Sequence, residues 1–310
     1  MAIVDTSIPI TAASCDRMIR EIVGAYPFCR SELLATSIFQ RPIRTLVIGS
    51  GDRKVLFTAA HHANEWLTSL VLLKYAEELA QAIAQGGSIY GVPAQQLAQA
   101  ATIYMVPMVN PDGVDLVVGA IPPGSSTYLL AQSLAAFYPA IPFPSGWKSN
   151  LAGVDLNLNY PAGWLQAREI KFSQGFTRPG PRDYVGNAPL NQLETRALYG
   201  YTQALDPALV LAYHSQGRVI YWQFRDYFVP GARELGERFS ASSGYVLEDT
   251  PYASSFAGFK DWFIQEYRRP GYTIEVGEGE NPLPLSQFDR IYQENVGILT
   301  IAAAPELAEA

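Results

Sequence analysis

Cysteine, histidine and charge are all scarce in this chain. Its 310 residues hold two cysteines, Cys15 and Cys29, and three histidines, His61, His62 and His214. Two cysteines build neither a multi-bridge framework nor a thiolate zinc site, so they read as reduced thiols, a single bridge between them being the alternative. No apolar run reaches the roughly 20 residues that span a bilayer. The opening stretch, MAIVDTSIPITAASCDRMIREIV, lacks a basic segment followed by an apolar one, so no secretory signal is expected. The expected location is the cytoplasm, with release on lysis or into a spore as further fates. Basic residues are also in deficit: 22 Lys and Arg against 29 Asp and Glu leave a net charge of −7. Nucleic acid and anionic membrane surfaces are therefore poor partners.

What is present is core material. Hydrophobic residues make up 48% and charged ones 16%, which excludes a disordered chain. Without an internal repeat or long polar linker, residues 1–310 read as one catalytic domain. Met18, Ile19, Ile22 and Val23 share a face of a helix over 13–25. Ile43–Ile48 and Val55–Ala60 read as strands, and Gly49, Ser50, Gly51 and Asp52 between them as a hairpin turn. A helix follows from about Trp66 to Ile83. Ile103–Val109 reads as a strand ended by a turn at Asn110, Pro111, Asp112 and Gly113.

Residues 119–191 are rich in Pro, Gly, Ser and Asn; loops of that length are usually functional. Beyond them come a helix (192–203), strands at Leu209–His214 and Val219–Gln223, helices at 231–242 and 258–267, a strand at Tyr272–Val276 and a last helix over 284–303. Such intermixing implies an α/β fold: a mixed parallel and antiparallel twisted sheet with helices on both faces. In such sheets the site gathers at strand ends.

All three histidines fall at those ends. His61 and His62 stand in TAAHHANEW, where a strand gives way to a helix, and His214 ends the strand LVLAY. Glu65 follows His62 by three residues, a spacing that lets both side chains meet one ion. Zinc takes imidazole and carboxylate ligands, and a hydrolytic site needs three of them with one position open for water. A buried histidine beside a helix-start carboxylate fits the same pattern, and His61 competes with His62 for the role.

The segments HHANEW, MVNPDG, GVDLNLNYPAGW, AYHSQG and YTIEVGEGENPLP, in this order, resemble the zinc carboxypeptidase family over nearly the whole chain. The resemblance implies one zinc ion held by His62, Glu65 and His214, with His61 outside the ligand set. It implies that Asp155 in GVDLN orients the His62 ring and that Glu275 is the general base. Lys148 in GWKSN stands where the family has an oxyanion-facing arginine. Tyr252 is the nearest candidate for the tyrosine that closes over substrate, although its spacing is off by one.

One departure bears on specificity. The family's carboxypeptidases grip a substrate's terminal carboxylate with an Asn-Arg pair, here Asn157 and Leu158, and leucine makes no bidentate contact. In this the chain resembles the bacterial branch of γ-D-glutamyl-L-diamino acid endopeptidases. That branch implies a peptidase that cuts the γ-D-glutamyl-meso-diaminopimelate bond of peptidoglycan stem peptides or soluble muropeptides. Lys260, at the family's pocket floor, is then expected to read the distal carboxylate of diaminopimelate, unless it only snorkels at a helix start. The competing expectations are a carboxypeptidase acting on ordinary peptides, a non-catalytic muropeptide-binding protein and a zinc-dependent amide deacylase.

Overall fold

The computed structural model describes residues 2–308. Its strands are β1 (Arg30–Thr36), β2 (Pro42–Gly49), β3 (Arg53–Ala59), β4 (Ser88–Ile89), β5 (Val92–Pro93), β6 (Ala101–Val106), β7 (Leu209–Ser215), β8 (Val219–Tyr221), β9 (Val246–Glu248) and β10 (Gly271–Val276). The helices are α1 (Ala12–Ala25), α2 (Leu67–Gln85), α3 (Ala94–Ala100), α4 (Pro111–Val117), α5 (Ser126–Ala135), α6 (Trp164–Ser173), α7 (Leu193–Leu205), α8 (Ala232–Ser243), α9 (Phe259–Tyr267) and α10 (Phe288–Ala303). Eight strands form one mixed sheet in the order β1-β2-β6-β3-β7-β10-β8-β9, and β4 pairs only with β5.

The centre of the sheet, β6-β3-β7-β10, is parallel, while β1, β2 and β8 join antiparallel to their inner neighbours. Every residue of β7 is buried, as a strand covered on both faces requires. Alternation divides its side chains. Leu209, Leu211 and Tyr213 join the core beneath α1, α2 and α10, while Val210 and Ala212 join the one beneath α7 and α9. His214 continues the second set. At α1, Thr11 and Ser14 form a reciprocal cap and Met18, Ile19 and Ile22 are buried, so the helix follows its apolar periodicity.

The structure corrects four expectations. β2 and β3 are not a hairpin, because β6 inserts between them; the true neighbour of β2 in sequence and space is β1. Gly49 has φ +96°, and a Cβ on Gly51 would lie 2.2 Å from the Ala100 carbonyl carbon. The glycines thus admit the incoming backbone of α3–β6. Secondly, β6 ends at Val106, and Asn110 begins a helix: its side chain caps Gly113 N–H at 3.1 Å, with Pro111 in the first turn. Thirdly, the long irregular segment carries α5 and α6. Lastly, the final helix begins at Phe288, after a 3-10 turn over Leu285–Gln287.

Candidate metal centre and substrate cleft

Three parallel strands deliver the site. His62 lies just beyond β3, His214 near the end of β7 and Glu275 near the end of β10, in register with His214. Glu65 closes a 3-10 turn between His62 and α2. That turn is fixed by Thr68, whose hydroxyl donates to Glu65 O at 2.7 Å and accepts from Ala60 N–H at 3.1 Å.

The His62, Glu65 and His214 side chains converge. His62 Nδ1 is 2.8 Å from Glu65 Oε1, His214 Nδ1 is 2.9 Å from Glu65 Oε2, and the two Nδ1 atoms are 3.2 Å apart. Two imidazole nitrogens and a buried carboxylate facing one point fit a shared cation, and the donor set suits zinc. The field of the site agrees. Burial disfavours a charged His62, yet Glu65 and Asp155 outweigh it and lift its pKa to about 9. A place that holds a proton so firmly is a place that favours a cation. Burial likewise opposes ionised Glu65, but His62 and Lys148 hold its pKa well below the ordinary range.

Asp155 stands behind His62, its Oδ1 3.1 Å from Nε2. It also accepts from Asn157 N–H at 3.1 Å and Asp183 N–H at 3.3 Å, so the carboxylate is fixed from several sides. With Nε2–H directed at Asp155, Nδ1 presents its lone pair to the centre. His61 points elsewhere: its Nε2 meets the Tyr160 hydroxyl at 3.2 Å and its ring is fully buried. Burial and the neighbouring histidines push its pKa well below 6.5, so it is a neutral core residue.

Lys148 Nζ lies 3.1 Å from Glu65 Oε1. Burial disfavours its charge, but Glu65, Glu275 and Asp155 raise its pKa. Glu275 has the opposite surroundings. Burial, then the nearby Glu65, pushes its carboxyl up to about 8 against the pull of Lys148 and His62.

The MVNPDG motif holds this constellation from behind. The Asn110 amide donates to His61 O, Lys148 O and Ser149 O at 3.2, 3.3 and 3.0 Å, stitching the β3 exit to the long segment. Lys148 N–H and Ser149 N–H both donate to Pro181 O. The irregular segment thereby becomes a wall of the site.

That wall encloses a cavity of about 200 Å³, lined by His62, His214, Lys148, Asp155, Asn157, Leu158, Lys260 and Glu275 among others. A second cleft of about 560 Å³ adjoins it, and the two share Lys148, Arg182, Tyr221 and Glu275. His62 and His214 line the first cavity, and the second cleft meets it at the four shared residues. Asn157 faces the first cavity while its Oδ1 accepts from Phe259 N–H at the start of α9. Leu158 lines the same cavity and is 8% exposed.

Two sequence-based expectations change. Lys260 lines the cavity floor but does not snorkel. It is buried, and its ammonium contacts Gln223 O at 2.6 Å, Thr250 Oγ1 at 3.1 Å and Asp261 Oδ1 at 2.8 Å. Tyr252 does not reach the cavity: it is 73% exposed, and its ring packs edge-on against Phe256 beside a separate cleft. A 3-10 turn over Tyr252–Ser254 turns it outward. The tyrosine that does line the cavity is Tyr221, unforeseen from sequence although strand alternation puts Val219 and Tyr221 on one face beside Glu275 and Thr273. Arg182 and Asp183 also went unforeseen; a charged pair within a Pro- and Gly-rich stretch was their one signal.

The zinc carboxypeptidase family profile matches residues 15–297. Gamma-D-glutamyl-L-diamino acid endopeptidase 1 of Lysinibacillus sphaericus is 42% identical over 280 residues, covering 90% of this chain and 68% of that protein. The uncharacterized protein YqgT of Bacillus subtilis strain 168 is 35% identical over 290 residues, 93% of this chain and 75% of that one. The fold is similar to that of bovine thrombin-activatable fibrinolysis inhibitor (TM-score 0.74, 14% identity, 97% and 98% of the two chains). It is also similar to that of the murein-tripeptide amidase MpaA of Escherichia coli O157 (TM-score 0.57, 20% identity, 94% and 96%).

Proposed function

Since the chain belongs to the zinc carboxypeptidase family and is a zinc metallopeptidase, we propose that its substrate is a peptidoglycan stem peptide, cut between D-glutamate and meso-diaminopimelate. The observation that carries the substrate choice is Leu158. It lines the cavity beside Asn157, so the apolar side chain stands where a terminal-carboxylate fork would be. The relative from Lysinibacillus, named for this bond, supports the same reading. Two adjoining cavities that meet at Lys148, Arg182, Tyr221 and Glu275 leave room for residues on both sides of a scissile bond held there.

His62, Glu65 and His214 hold one zinc ion in this reading. Zinc there supplies Lewis acidity, acidifying water and polarising the scissile carbonyl. Glu275 takes a proton from the attacking water and delivers it to the leaving nitrogen as the C–N bond breaks. The products are the γ-carboxylate of D-glutamate and the free amine of the diamino acid. In the metal-free protein burial and Glu65 hold the Glu275 carboxyl up to about 8; a zinc ion bound by Glu65 would offset that charge and favour the ionised form that a general base needs. Lys148 faces the negative charge that develops on the carbonyl oxygen. Asp155 keeps His62 in the tautomer and orientation that the centre needs.

At the cavity floor, the Lys260–Asp261 pair matches the ammonium and carboxylate that diaminopimelate carries at its far end. Binding exchanges the internal pair for two intermolecular ones. A pair of peptides tests the substrate class: L-Ala-γ-D-Glu-meso-diaminopimelate-D-Ala and an ordinary α-linked peptide with a free C-terminus. Turnover of the first with the second left intact is the expected result. Trimming of the second alone would establish an ordinary carboxypeptidase.

A further inference from the structure

Resting on that reading and deepening it, we propose that Arg182 binds the α-carboxylate of the D-glutamyl residue and so makes the enzyme selective for a γ-linked acyl group. Arg182 lines both the metal cavity and the adjoining cleft, so it straddles the scissile position. Its Nε donates to Asp183 Oδ2 at 2.6 Å, which fixes one edge of the guanidinium. Asp183 is itself secured. Its other oxygen lies 2.6 Å from Lys171 Nζ, and its backbone N–H donates to Asp155, the carboxylate behind His62. Among the described residues, neither Nη group of Arg182 makes a hydrogen bond, and the side chain is 40% exposed. The result is a planar fork fixed at its Nε edge, with two Nη donors unpaired among the described residues and beside the cleft, a group suited to recognising a carboxylate.

The other cations of the site are engaged. Lys148 lies against Glu65, Lys171 against Asp183, and Lys260, held by Gln223, Thr250 and Asp261, is already assigned to the far end of the diamino acid. In the cleft on the far side of the centre, Lys148 and Arg182 are the two cationic residues among the described lining. That cleft takes the acyl half of the substrate if the diamino acid occupies the inner cavity. An α-linked peptide spends its α-carboxyl group in the backbone. A γ-glutamyl amide leaves it free, a few bonds from the scissile carbonyl and within the same acyl half. Arg182 is the free fork at that place.

The test compares L-Ala-γ-D-Glu-meso-diaminopimelate with the analogue in which the D-glutamyl α-carboxylate is the carboxamide of D-isoglutamine. The zinc-loaded wild type should favour the free acid by about 10- to 100-fold in kcat/KM, mostly through KM, the range for losing a charged hydrogen bond. Arg182→Gln should bring the ratio close to one, and Arg182→Lys should restore part of it. Bound zinc and the thermal midpoint of the Gln variant report whether fold and centre survive. Equal turnover of both peptides by the wild type would overturn the assignment, as would a preference that persists in Arg182→Gln. Loss of a tripeptide-over-tetrapeptide preference in that variant, with the acid-over-amide ratio unmoved, would also overturn it and give Arg182 to the diamino acid's own carboxylate. No cleavage of either peptide by the wild type is the failure of the hydrolytic reading itself, and this assignment falls with it.

Discussion

Glu275 should cost the metal-free protein stability at the pH where it is useful. Its surroundings raise the carboxyl from the ordinary 4.5 to about 8, through burial and then Glu65. A group whose pKa is higher folded than unfolded binds its proton more tightly in the native state. Its contribution is therefore fully present below about pH 4.5 and is lost as pH rises through about 8. The span from 4.5 to about 8 corresponds to just under 5 kcal/mol at about 1.36 kcal/mol per tenfold change in ionisation. Relaxation and water entry around a half-buried carboxylate reduce that to an effective 2–4 kcal/mol, on the order expected for such sites. Glu275→Gln keeps the shape and removes the titration. In chelator, the variant should gain on the wild type between pH 5 and pH 9 by about 2–4 kcal/mol, or roughly 3–6 °C in thermal midpoint for a chain of this size. Paired urea and thermal melts across that range read the difference directly. With zinc restored, the same variant should lose activity by about 100-fold or more. Parallel stability curves for the two proteins would refute the electrostatic argument, and an active Gln variant would refute the role.

Removing the carboxylate behind His62, in Asp155→Ala, should weaken zinc binding by about 10- to 100-fold, read by competition with a chelating dye; unchanged affinity would deny Asp155 an orienting role. Lys260→Ala should raise KM for the diaminopimelate peptide more than for its lysine analogue, which lacks the distal carboxylate, and equal effects would remove Lys260 from substrate recognition. Gly51→Val should destabilise the fold by on the order of 2 kcal/mol in urea, because its Cβ meets the Ala100 backbone at 2.2 Å; a neutral result would mean that the α3–β6 backbone yields.

The central strands were legible because burial on both faces leaves an uninterrupted apolar run, as in LVLAY, and the reactive residue stands where that run ends. His214 and Glu275 stand at such run ends, but run ends and the His62–Glu65 spacing made them candidates only; their roles came from the resemblance to the zinc carboxypeptidase family. Pairing was not legible. Gly49–Asp52 has the chemistry of a hairpin turn, but the strand that fills the gap arrives some fifty residues later, and no local pattern announces it. Edge strand β1 was missed because RSELLAT is mostly exposed or half-exposed and lacks a clean alternation. The wall of the cleft was legible only in outline. Its irregular segment could be marked as functional by length, but the hydrogen bonds from Asn110 and to Pro181 that bring Lys148, Asp155 and Arg182 to the centre depend on residues far apart in sequence. Tyr252 was reached by proximity to an aligned motif, and which way a 3-10 turn points its side chain is not written in that proximity.

The most direct test is hydrolysis in ¹⁸O-labelled water. Zinc-loaded wild type, metal-free wild type and zinc-loaded Glu275→Gln are each incubated with L-Ala-γ-D-Glu-meso-diaminopimelate-D-Ala, and the products are read by mass spectrometry. The account predicts L-Ala-D-Glu labelled at its γ-carboxylate from the zinc-loaded wild type alone. Release of D-Ala with the γ-bond intact, or equal cleavage by all three preparations, would contradict it.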